Sequence, residues 1–440
     1  MSAEIEQRLA DLDAAGLRRR TRLVSGPQGP RVVLDGRPVL LLCSNNYLGL
    51  ADHPRVREAA ADAAMRWGAG AGGSRLVSGT MTIHQRLEER LAAFKGAERA
   101  LLFGSGYLAN LGVIGALGAA GTLVCSDELN HASIVDGCRL ARGRTAVYAH
   151  GDLEHLRWLL DQAPEERAVV VTDSVFSMDG DVAPLEELAA LTRSRGAWLV
   201  VDEAHATGCV GPGGRGAVAD AGVDGEEHVV VVGTLGKALG AYGAFAACSG
   251  AVRELLVNTA RPFIFSTAPP PPAIAGALAA LELLEEQPAR VDQLQANART
   301  LRGELAREGF DVAGSSTQIV PLVIGPAAQA MAICEAALER GVFAQAIRPP
   351  TVPQGTSRLR LAVMASHDKE ELREAARTLG RAALQAGFRP ADGMPVAMAR
   401  STRGAETGRA TGQAGARTAP PPEPEARRAA LKAVPPLRVA

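Results

Sequence analysis

Lysine is scarce in this chain. The 440 residues include 47 lysines and arginines, but only four of them are lysines: Lys95, Lys237, Lys369 and Lys432. Any chemistry that requires an amine from the protein therefore has few candidate residues.

Features that define several other protein classes are also missing. Lysine and arginine nearly balance aspartate and glutamate, and the net charge of -1 gives no overall attraction to nucleic acid or to an anionic membrane. No apolar run reaches the ~18 residues of a membrane-spanning helix, and the N-terminus lacks the apolar segment of a secretory signal. The six cysteines include no CxxC pair, which favours a reducing compartment over a disulfide framework or a zinc site. The sequence predicts a soluble cytoplasmic protein with no metal, nucleic-acid or membrane partner.

The order of apolar and amphipathic segments predicts an α/β fold. Short strands that are apolar throughout, such as 168–176 and 197–205, alternate with helices, as in a mostly parallel sheet covered on both faces. A smaller α+β domain follows this region. We predict four parts: an N-terminal arm (1–50), a large α/β domain (51–285), a small C-terminal α+β domain (286–388) and a disordered tail rich in Pro, Ala and Arg (389–440).

Lys237 is the lysine whose position suggests chemistry. It lies between glycines in GTLGKALG, just after an apolar strand, where the carboxyl edge of a parallel sheet presents side chains to a ligand. Burial there would lower its pKa and favour Schiff-base formation with an aldehyde. An ordinary lysine in a tight turn explains the same letters equally well. The other lysines have ordinary explanations: Lys95 precedes a helix C-cap at Gly96, Lys369 lies among acids and Lys432 is in the tail.

Asp202 ends another apolar strand, in AWLVVDEAH. A carboxylate there can hold a pyridine nitrogen protonated, which makes pyridoxal phosphate an electron sink; an aspartate that caps the next turn is the alternative. The DEAH letters also occur in helicases, but the chain has no GxxxxGK[ST] phosphate loop. The glycine-rich turn at 104–106 begins a helix and could bind a phosphate, although it lacks the GxGxxG pattern of a dinucleotide site.

Further polar residues stand near predicted strands. His131 could lie over a planar ring, and Ser177 could hydrogen-bond a cofactor. Arg348 and Arg360 could bind carboxylates through paired hydrogen bonds. A solvated loop histidine, a polar turn and surface arginines are the ordinary explanations. The common position of His131, Ser177, Asp202 and Lys237 beyond strand ends is what favours a shared site.

Eight ordered motifs resemble the α-oxoamine synthases, which are fold type I pyridoxal phosphate enzymes. The resemblance covers about residues 5 to 388. The motifs are SNNYLGL (44–50), GAGAGGSRLVSGT (68–80), HQRLEERLAAFKGAERALLF (84–103), NHASIVDG (130–137), VFSMDGD (175–181), DEAHATGCVG (202–211), GTLGKALG (233–240) and IRPPTVPQGTSRLRL (347–361). It implies a large sheet of the seven-stranded type with a smaller C-terminal domain.

The resemblance also implies roles for individual residues. Lys237 would bind the aldehyde of pyridoxal 5'-phosphate, Asp202 would pair with its pyridine nitrogen and His131 would stack on its ring. The other implied cofactor contacts are Gly106, Tyr107, Ser177, His205, Thr234 and Thr267, the last reaching the phosphate in the partner subunit of a homodimer with shared active sites. The implied substrate contacts are Arg18, for the far carboxylate of the acyl chain, and Arg348 and Thr351, for the amino-acid part, together with Asn45 and Arg360.

The implied reaction is a decarboxylative condensation of an amino acid with an acyl thioester. The motifs are most similar to family members that use L-alanine and a pimeloyl group on CoA or a carrier protein, in biotin biosynthesis. A related synthase that uses glycine or serine with another acyl-CoA is the nearest alternative, because one methyl group in a pocket is worth only ~1 to 3 kcal/mol. A non-catalytic α/β binding protein is a more distant one.

Overall fold

A computed structural model describes residues 2–164, 167–312 and 314–390. The predicted disordered tail lies, from residue 391 onward, outside the described residues. None of the helices in the described ranges combines the length and the apolar character needed to cross a membrane.

Helices surround three sheets in the described residues. The helices are α1 (Ser2–Ala14), α2 (Pro54–Trp67), α3 (Thr82–Lys95), α4 (Gly106–Leu117), α5 (Ala132–Leu140), α6 (Leu153–Asp161), α7 (Leu185–Ser194), α8 (Ala217–Asp220), α9 (Gly250–Thr259), α10 (Arg261–Ile264), α11 (Pro271–Glu286), α12 (Ala289–Arg307), α13 (Ala327–Glu339) and α14 (Lys369–Gln385). The strands are β1 (Val24–Ser25), β2 (Arg31–Leu34), β3 (Arg37–Leu41), β4 (Arg99–Phe103), β5 (Thr122–Asp127), β6 (Arg144–Tyr148), β7 (Arg167–Asp173), β8 (Trp198–Asp202), β9 (Val229–Thr234), β10 (Ala244–Cys248), β11 (Ile319–Gly325), β12 (Val342–Phe343), β13 (Gln345–Ile347) and β14 (Ser357–Ala362).

The largest sheet has seven strands in the order β4-β10-β9-β8-β7-β5-β6. Strands β9, β8, β7, β5 and β6 run parallel, whereas β10 is antiparallel to both of its neighbours. The predicted mostly parallel α/β fold is therefore confirmed. All parallel strands end at the same edge, so the loops that follow them meet there.

Strand β9 shows why these segments are apolar throughout. Val229 and Val231 belong to one hydrophobic core, and Val230 and Val232 belong to a second core on the other face of the sheet. Because side chains alternate between the faces of a strand, both faces must be apolar when helices cover both. Burial of each valine contributes about 1.5 kcal/mol or more.

Two smaller sheets complete the described fold. The first fifty residues contain β1, β2 and β3, which join β12 in a four-stranded sheet. Strands β11, β14 and β13 form a three-stranded sheet. Past β3, Leu42 N donates to Phe343 O (2.9 Å) and Ala365 N donates to Tyr47 O (2.7 Å). These bonds hold the SNNYLGL segment between the sheets and bring it towards the edge where the parallel strands end.

Candidate active site

The predicted residues Lys237, His205, Asp202 and His131 lie at the carboxyl edge of the large sheet. Each one ends or follows one of the parallel strands β9, β8 and β5. We call these four residues, together with Asp173 at the end of β7, the carboxyl-edge cluster.

Lys237 lies in the turn between β9 and β10. Thr234 shapes this turn, because its Oγ1 donates to Gly243 O (3.2 Å) and accepts from Gly236 N (3.2 Å). The Nζ atom of Lys237 is 2.8 Å from His205 Nε2. Burial lowers the pKa of Lys237 to about 8, against the opposing charge of Asp202. The amine is therefore far easier to deprotonate than an ordinary lysine.

His205 is a neutral partner for that amine. Burial holds the pKa of His205 well below its usual range, and the charges of Lys237 and Arg360 act in the same direction. Its Nδ1 is 2.7 Å from the hydroxyl of Tyr47, and its carbonyl accepts from Gln318 Nε2 (2.7 Å). Each ring nitrogen of the imidazole thus has a partner, and the ring carries no charge.

Tyr47 connects His205 to two predicted substrate residues. Its hydroxyl donates to Asn45 Oδ1 (2.9 Å) and accepts from Arg360 Nη2 (3.2 Å). Arg360 also donates to Asn45 Oδ1 (3.2 Å) and, through Nε, to Ser177 O (2.5 Å). Burial raises the pKa of Tyr47 to about 12, so the phenol stays protonated.

Two buried carboxylates complete the cluster. Asp202 accepts from Asn110 Nδ2 (2.6 Å) and from Ala204 N (2.8 Å), which are both neutral donors. Asp173 accepts from His131 N (2.7 Å). Burial raises the pKa of Asp173 well above its usual range, and the nearby charge of Asp202 adds to the effect. A cationic ligand group at this edge would stabilise the ionised form of these acids.

His131 begins helix α5. Its Nδ1 accepts from Ser133 N (3.2 Å) and is 2.7 Å from Ser133 Oγ. Burial lowers its pKa, although the charge of Asp202 opposes the shift.

The glycine-rich turn opens helix α4 as predicted. Ser105 is the N-cap and accepts from Leu108 N (3.3 Å). A Cβ atom at Gly106 would lie 3.9 Å from Thr234 Cβ, so these two predicted phosphate contacts are neighbours. Tyr107 is exposed and its hydroxyl donates to Asp136. Thr267 is exposed and forms an antiparallel bridge with Ser74.

Three other predicted substrate residues lie together in a different cleft. Arg18, Arg348 and Thr351 line a cavity of about 930 Å³, which we call the arginine cleft. Arg348 donates to Gly16 O, and Arg18 pairs with Asp13 at 2.5 Å. Arg348 lies between β13 and β14, and Arg360 lies within β14. None of the described residues that line this cleft belongs to the carboxyl-edge cluster.

Sequence reasoning missed several of these contacts. The contacts of Tyr47, within the SNNYLGL motif, were not predicted. Asn110 is a lone amide in the otherwise apolar helix GYLANLGVIGAL, and this exception was a signal that could have pointed to a polar contact. The ordinary interpretation of Lys95 was incomplete: Gly96 does cap helix α3 with φ 66°, but Lys95 itself is buried in an ion pair with Glu203.

The chain is similar to known proteins over most of its length. Residues 37–379 match the family model described as aminotransferase class I and II. An 8-amino-7-oxononanoate synthase from Anaeromyxobacter dehalogenans (strain 2CP-1) is 55% identical over 372 residues, which are 84% of this chain and 92% of that protein. The synthase of the same name from Geobacter sulfurreducens is 52% identical over 391 residues, 88% of this chain and all of that protein (100%). The solved structure of serine palmitoyltransferase from S. paucimobilis with a bound PLP-myriocin aldimine has a TM-score of 0.82 at 32% identity, and the match covers 87% of this chain and 98% of that one.

Proposed function

The chain belongs to the aminotransferase class I and II family, among the 8-amino-7-oxononanoate synthases, and from that premise we propose that it condenses L-alanine with a pimeloyl thioester. A bond forms between the α carbon of alanine and the thioester carbonyl carbon. The thiol of CoA or of a carrier protein leaves, and the alanine carboxylate leaves as carbon dioxide. The product is the amino ketone 8-amino-7-oxononanoate.

Pyridoxal 5'-phosphate is the cofactor, and the carboxyl-edge cluster fits it. Asp202 is a buried carboxylate whose two hydrogen-bond donors are neutral, so a protonated ring nitrogen would supply a charged hydrogen-bond donor. Lys237 would hold the cofactor through Nζ. Gly106 begins helix α4, Thr234 at the end of β9 lies beside it, and both could bind the phosphate. When bound, the cofactor supplies an aldehyde that reacts with amines and a protonated ring that withdraws electrons from the α carbon.

The observation that carries this proposal is the position of the buried Lys237 amine at the carboxyl edge of the sheet, 2.8 Å from His205 Nε2. Burial there lowers the pKa of Lys237 to about 8. A base with a pKa near the working pH can take a proton from carbon and return it. We assign to Lys237 Nζ the removal of the α proton of alanine and the later return of a proton to that carbon. His205 stays neutral because of its burial and therefore orients Nζ without competing for the proton.

Other residues would bind and orient the reactants. His131 would lie against the cofactor ring, and Ser177 would hydrogen-bond near its phenolic oxygen. Arg360 and Asn45 are joined to His205 through Tyr47, which supports a role in holding the amino acid. Support for binding of the pimeloyl carboxylate in the arginine cleft comes from its arginine side chains and its volume of about 930 Å³.

Crossed turnover assays test the choice of substrates. Alanine, glycine and serine are each combined with pimeloyl, acetyl, succinyl and palmitoyl thioesters, and the amino ketones are identified by mass spectrometry. We expect alanine with the pimeloyl thioester to give the highest kcat/KM. Serine with palmitoyl-CoA is the second candidate, because the similar solved structure is a serine palmitoyltransferase. Equal or better turnover of that pair, or of glycine with acetyl-CoA, would overturn the assignment.

A homodimer with shared sites is also part of the proposal. Leu76, Val77 and Phe265 are large apolar side chains with exposed fractions of 52%, 83% and 70%. They flank the bridge between Ser74 and Thr267, so a second copy that covers them would also meet Thr267. Apolar clusters of this kind are typical of subunit interfaces.

Mixing two inactive variants tests the shared site. Lys237→Ala lacks the amine, and Thr267→Asp places a negative charge where the phosphate of the partner subunit would lie. If Thr267 serves the opposite site, mixed dimers contain one site with both defects and one intact site, so activity returns on mixing. No recovery after subunit exchange, or a monomer in light scattering, would contradict this arrangement.

We also infer a cytoplasmic location. The support is the state of the cysteines, because Cys43, Cys138, Cys209, Cys248 and Cys334 carry free thiols, as expected in a reducing compartment. Cell fractionation with an antibody against the chain tests this inference; recovery in an oxidising compartment would contradict it.

A further inference from the structure

A chain of hydrogen bonds joins Asp202 to His131 through two residues to which no role has been assigned. Asn110 Nδ2 is 2.6 Å from Asp202 Oδ2 and 2.9 Å from Ser133 Oγ. Ser133 Oγ is in turn 2.7 Å from His131 Nδ1. Asn110 and Ser133 are each only 1% exposed. Water therefore has little access to these bonds.

The Asp202 carboxylate fixes the direction of each hydrogen bond between Asp202 and His131. An amide oxygen facing Asp202 would place two acceptors together, so the NH₂ group of Asn110 must face Oδ2. Its second hydrogen then points to Ser133 Oγ, which accepts it. The single hydrogen of the Ser133 hydroxyl remains for His131, so Nδ1 is the acceptor in that bond.

The start of helix α5 gives the same answer independently. His131 is the N-cap of α5, and Nδ1 accepts from the backbone N–H of Ser133 at 3.2 Å. Two donors thus converge on Nδ1, which leaves no place for a hydrogen on that atom. The N-terminus of a helix also disfavours a cation.

We infer that Asn110 and Ser133 are positioning residues that hold His131 as a neutral imidazole with its hydrogen on Nε2. The inference deepens the proposed function, because it concerns the ring that would lie against the cofactor. A neutral ring adds no second positive charge beside Lys237.

The charged groups around His131 agree with this assignment. Burial lowers the pKa of His131, the charges of Asp202 and Asp136 oppose this shift, and the charge of Lys237 supports it. Asp173 faces the residue as well, but it accepts from the backbone N–H of His131 and not from the ring. The ring nitrogens therefore take their roles from Ser133.

Nitrogen NMR of the holoenzyme labelled with ¹⁵N-histidine tests the inference. His131→Gln identifies the two ring resonances by their disappearance. In the unsubstituted protein, we expect Nδ1 in the range of an unprotonated ring nitrogen and Nε2 in the range of a protonated one, near neutral pH. A protonated Nδ1, whether in the other tautomer or in an imidazolium, would overturn the inference.

Two variants test the roles of Asn110 and Ser133 directly. Ser133→Ala removes one of the two donors to Nδ1, and we expect the ratio of the Nε2–H to the Nδ1–H tautomer to fall about fivefold. Asn110→Leu frees the Ser133 hydroxyl to rotate and should move the resonances in the same direction. Ser133→Thr keeps the hydroxyl, so its His131 resonances should match those of the unsubstituted protein. Unmoved resonances in both Ser133→Ala and Asn110→Leu would overturn the assigned roles.

A buried hydroxyl elsewhere supplies the matched control. Thr192 is buried in helix α7 and donates to Leu188 O at 2.8 Å, so Thr192→Val should leave the His131 resonances unchanged. Movement in this variant would show that general loosening of the fold, and not the hydrogen bonds from Asn110 and Ser133, sets the tautomer. The outcome is separable from that of the substrate assays, because the tautomer is read from His131 itself and not from product formation.

Discussion

The surroundings of Lys95 and Lys237 make a direct comparison, because both amines are buried and only one is placed for chemistry. Burial lowers the pKa of each. Lys95 Nζ contacts the Glu203 carboxylate, whose charge opposes that effect, and it also donates to Arg215 O (2.6 Å). Lys237 Nζ contacts the neutral ring of His205. The difference teaches that burial alone does not make an amine reactive; the partner in contact with it decides.

Asp202 and Glu203 repeat the comparison from the acidic side. Glu203 is fully buried and satisfied by a lysine, and a Cβ atom at Gly216 would lie 2.1 Å from its Oε2, so the backbone packs tightly around it. Asp202 receives only neutral donors. Of two adjacent acids, one stabilises the fold and the other remains available to a cationic ligand.

Replacing the reactive amine should have the largest effect. We expect Lys237→Ala to reduce kcat by about 10²- to 10⁴-fold, since an acid–base group contributes about that much. Turnover of alanine and pimeloyl thioester measures the loss, and thermal melting checks the fold. Lys369→Ala, at the exposed start of α14, is the control and should keep full activity. Retained turnover in Lys237→Ala would contradict the assignment of Lys237, rather than Lys95, as the amine that is placed for chemistry.

Breaking the buried ion pair should act on stability. Glu203→Gln leaves Lys95 buried without a counter-charge, and we expect the free energy of unfolding in urea to fall by about 3 kcal/mol. The double variant Lys95→Met/Glu203→Leu should recover part of the loss, because it removes both charges. Glu374→Gln breaks an exposed pair with Arg377 and should leave the unfolding midpoint unchanged. A Glu203→Gln protein as stable as its parent would show that Lys95 is not held by charge.

His150 extends the comparison to a cation with two carboxylate partners. Its ring nitrogens lie 3.0 Å from Asp127 Oδ1 and 2.8 Å from Asp181 Oδ2. Burial alone would lower the pKa of His150, but these hydrogen bonds outweigh it and raise the pKa to about 10. Asp181 closes the VFSMDGD segment, so the cation anchors the loop that carries Ser177.

The raised pKa fixes the sign of the pH effect. The stabilisation from His150 is fully present below its unfolded pKa of about 6.5 and is lost as the pH rises through about 10. Between these limits, we expect the parent to lose about 2 kcal/mol of stability that His150→Gln lacks throughout. Urea unfolding at pH 6 and pH 10 measures it. Equal pH dependence in parent and variant would contradict the charged form of His150.

Much of the fold could be predicted because its signals are local. Strands β7, β8 and β9 were recognised from apolar runs, and the carboxyl-edge rule then placed Asp202 and Lys237 near each other. The small sheet that joins β3 to β12 was not predicted, because it pairs segments about 300 residues apart and a two-residue strand leaves no periodicity. Long-range pairing depends on the packed fold and not on the composition of either segment.

The candidate site shows the same difference between local signals and long-range contacts. The positions of Lys237, Asp202 and His205 followed from strand ends and motifs, and they stay predictions as to role. Asn110 and Tyr47 contact Asp202 and His205 from elements far away in the chain, so a sequence read in order does not reveal their partners. The ordinary interpretation of Lys95 was incomplete for the same reason, since Glu203 lies 108 residues further along the chain.

The smallest predicted effect is the pH dependence of cofactor capture. The neutral form of an amine attacks an aldehyde, so the rate at which apoenzyme binds pyridoxal 5'-phosphate should follow deprotonation of Lys237, whose pKa is about 8. From pH 9 to pH 7 we expect this rate to fall about tenfold, measured by the absorbance of the bound cofactor. Nα-acetyl-lysine is the control, and its rate should still be rising at pH 10 because its amine has a pKa near 10.4. A protein curve that rises in parallel with this control would mean that Lys237 is as basic as an exposed lysine. The contrast with Lys95 would then reduce to which of the two amines the aldehyde can reach.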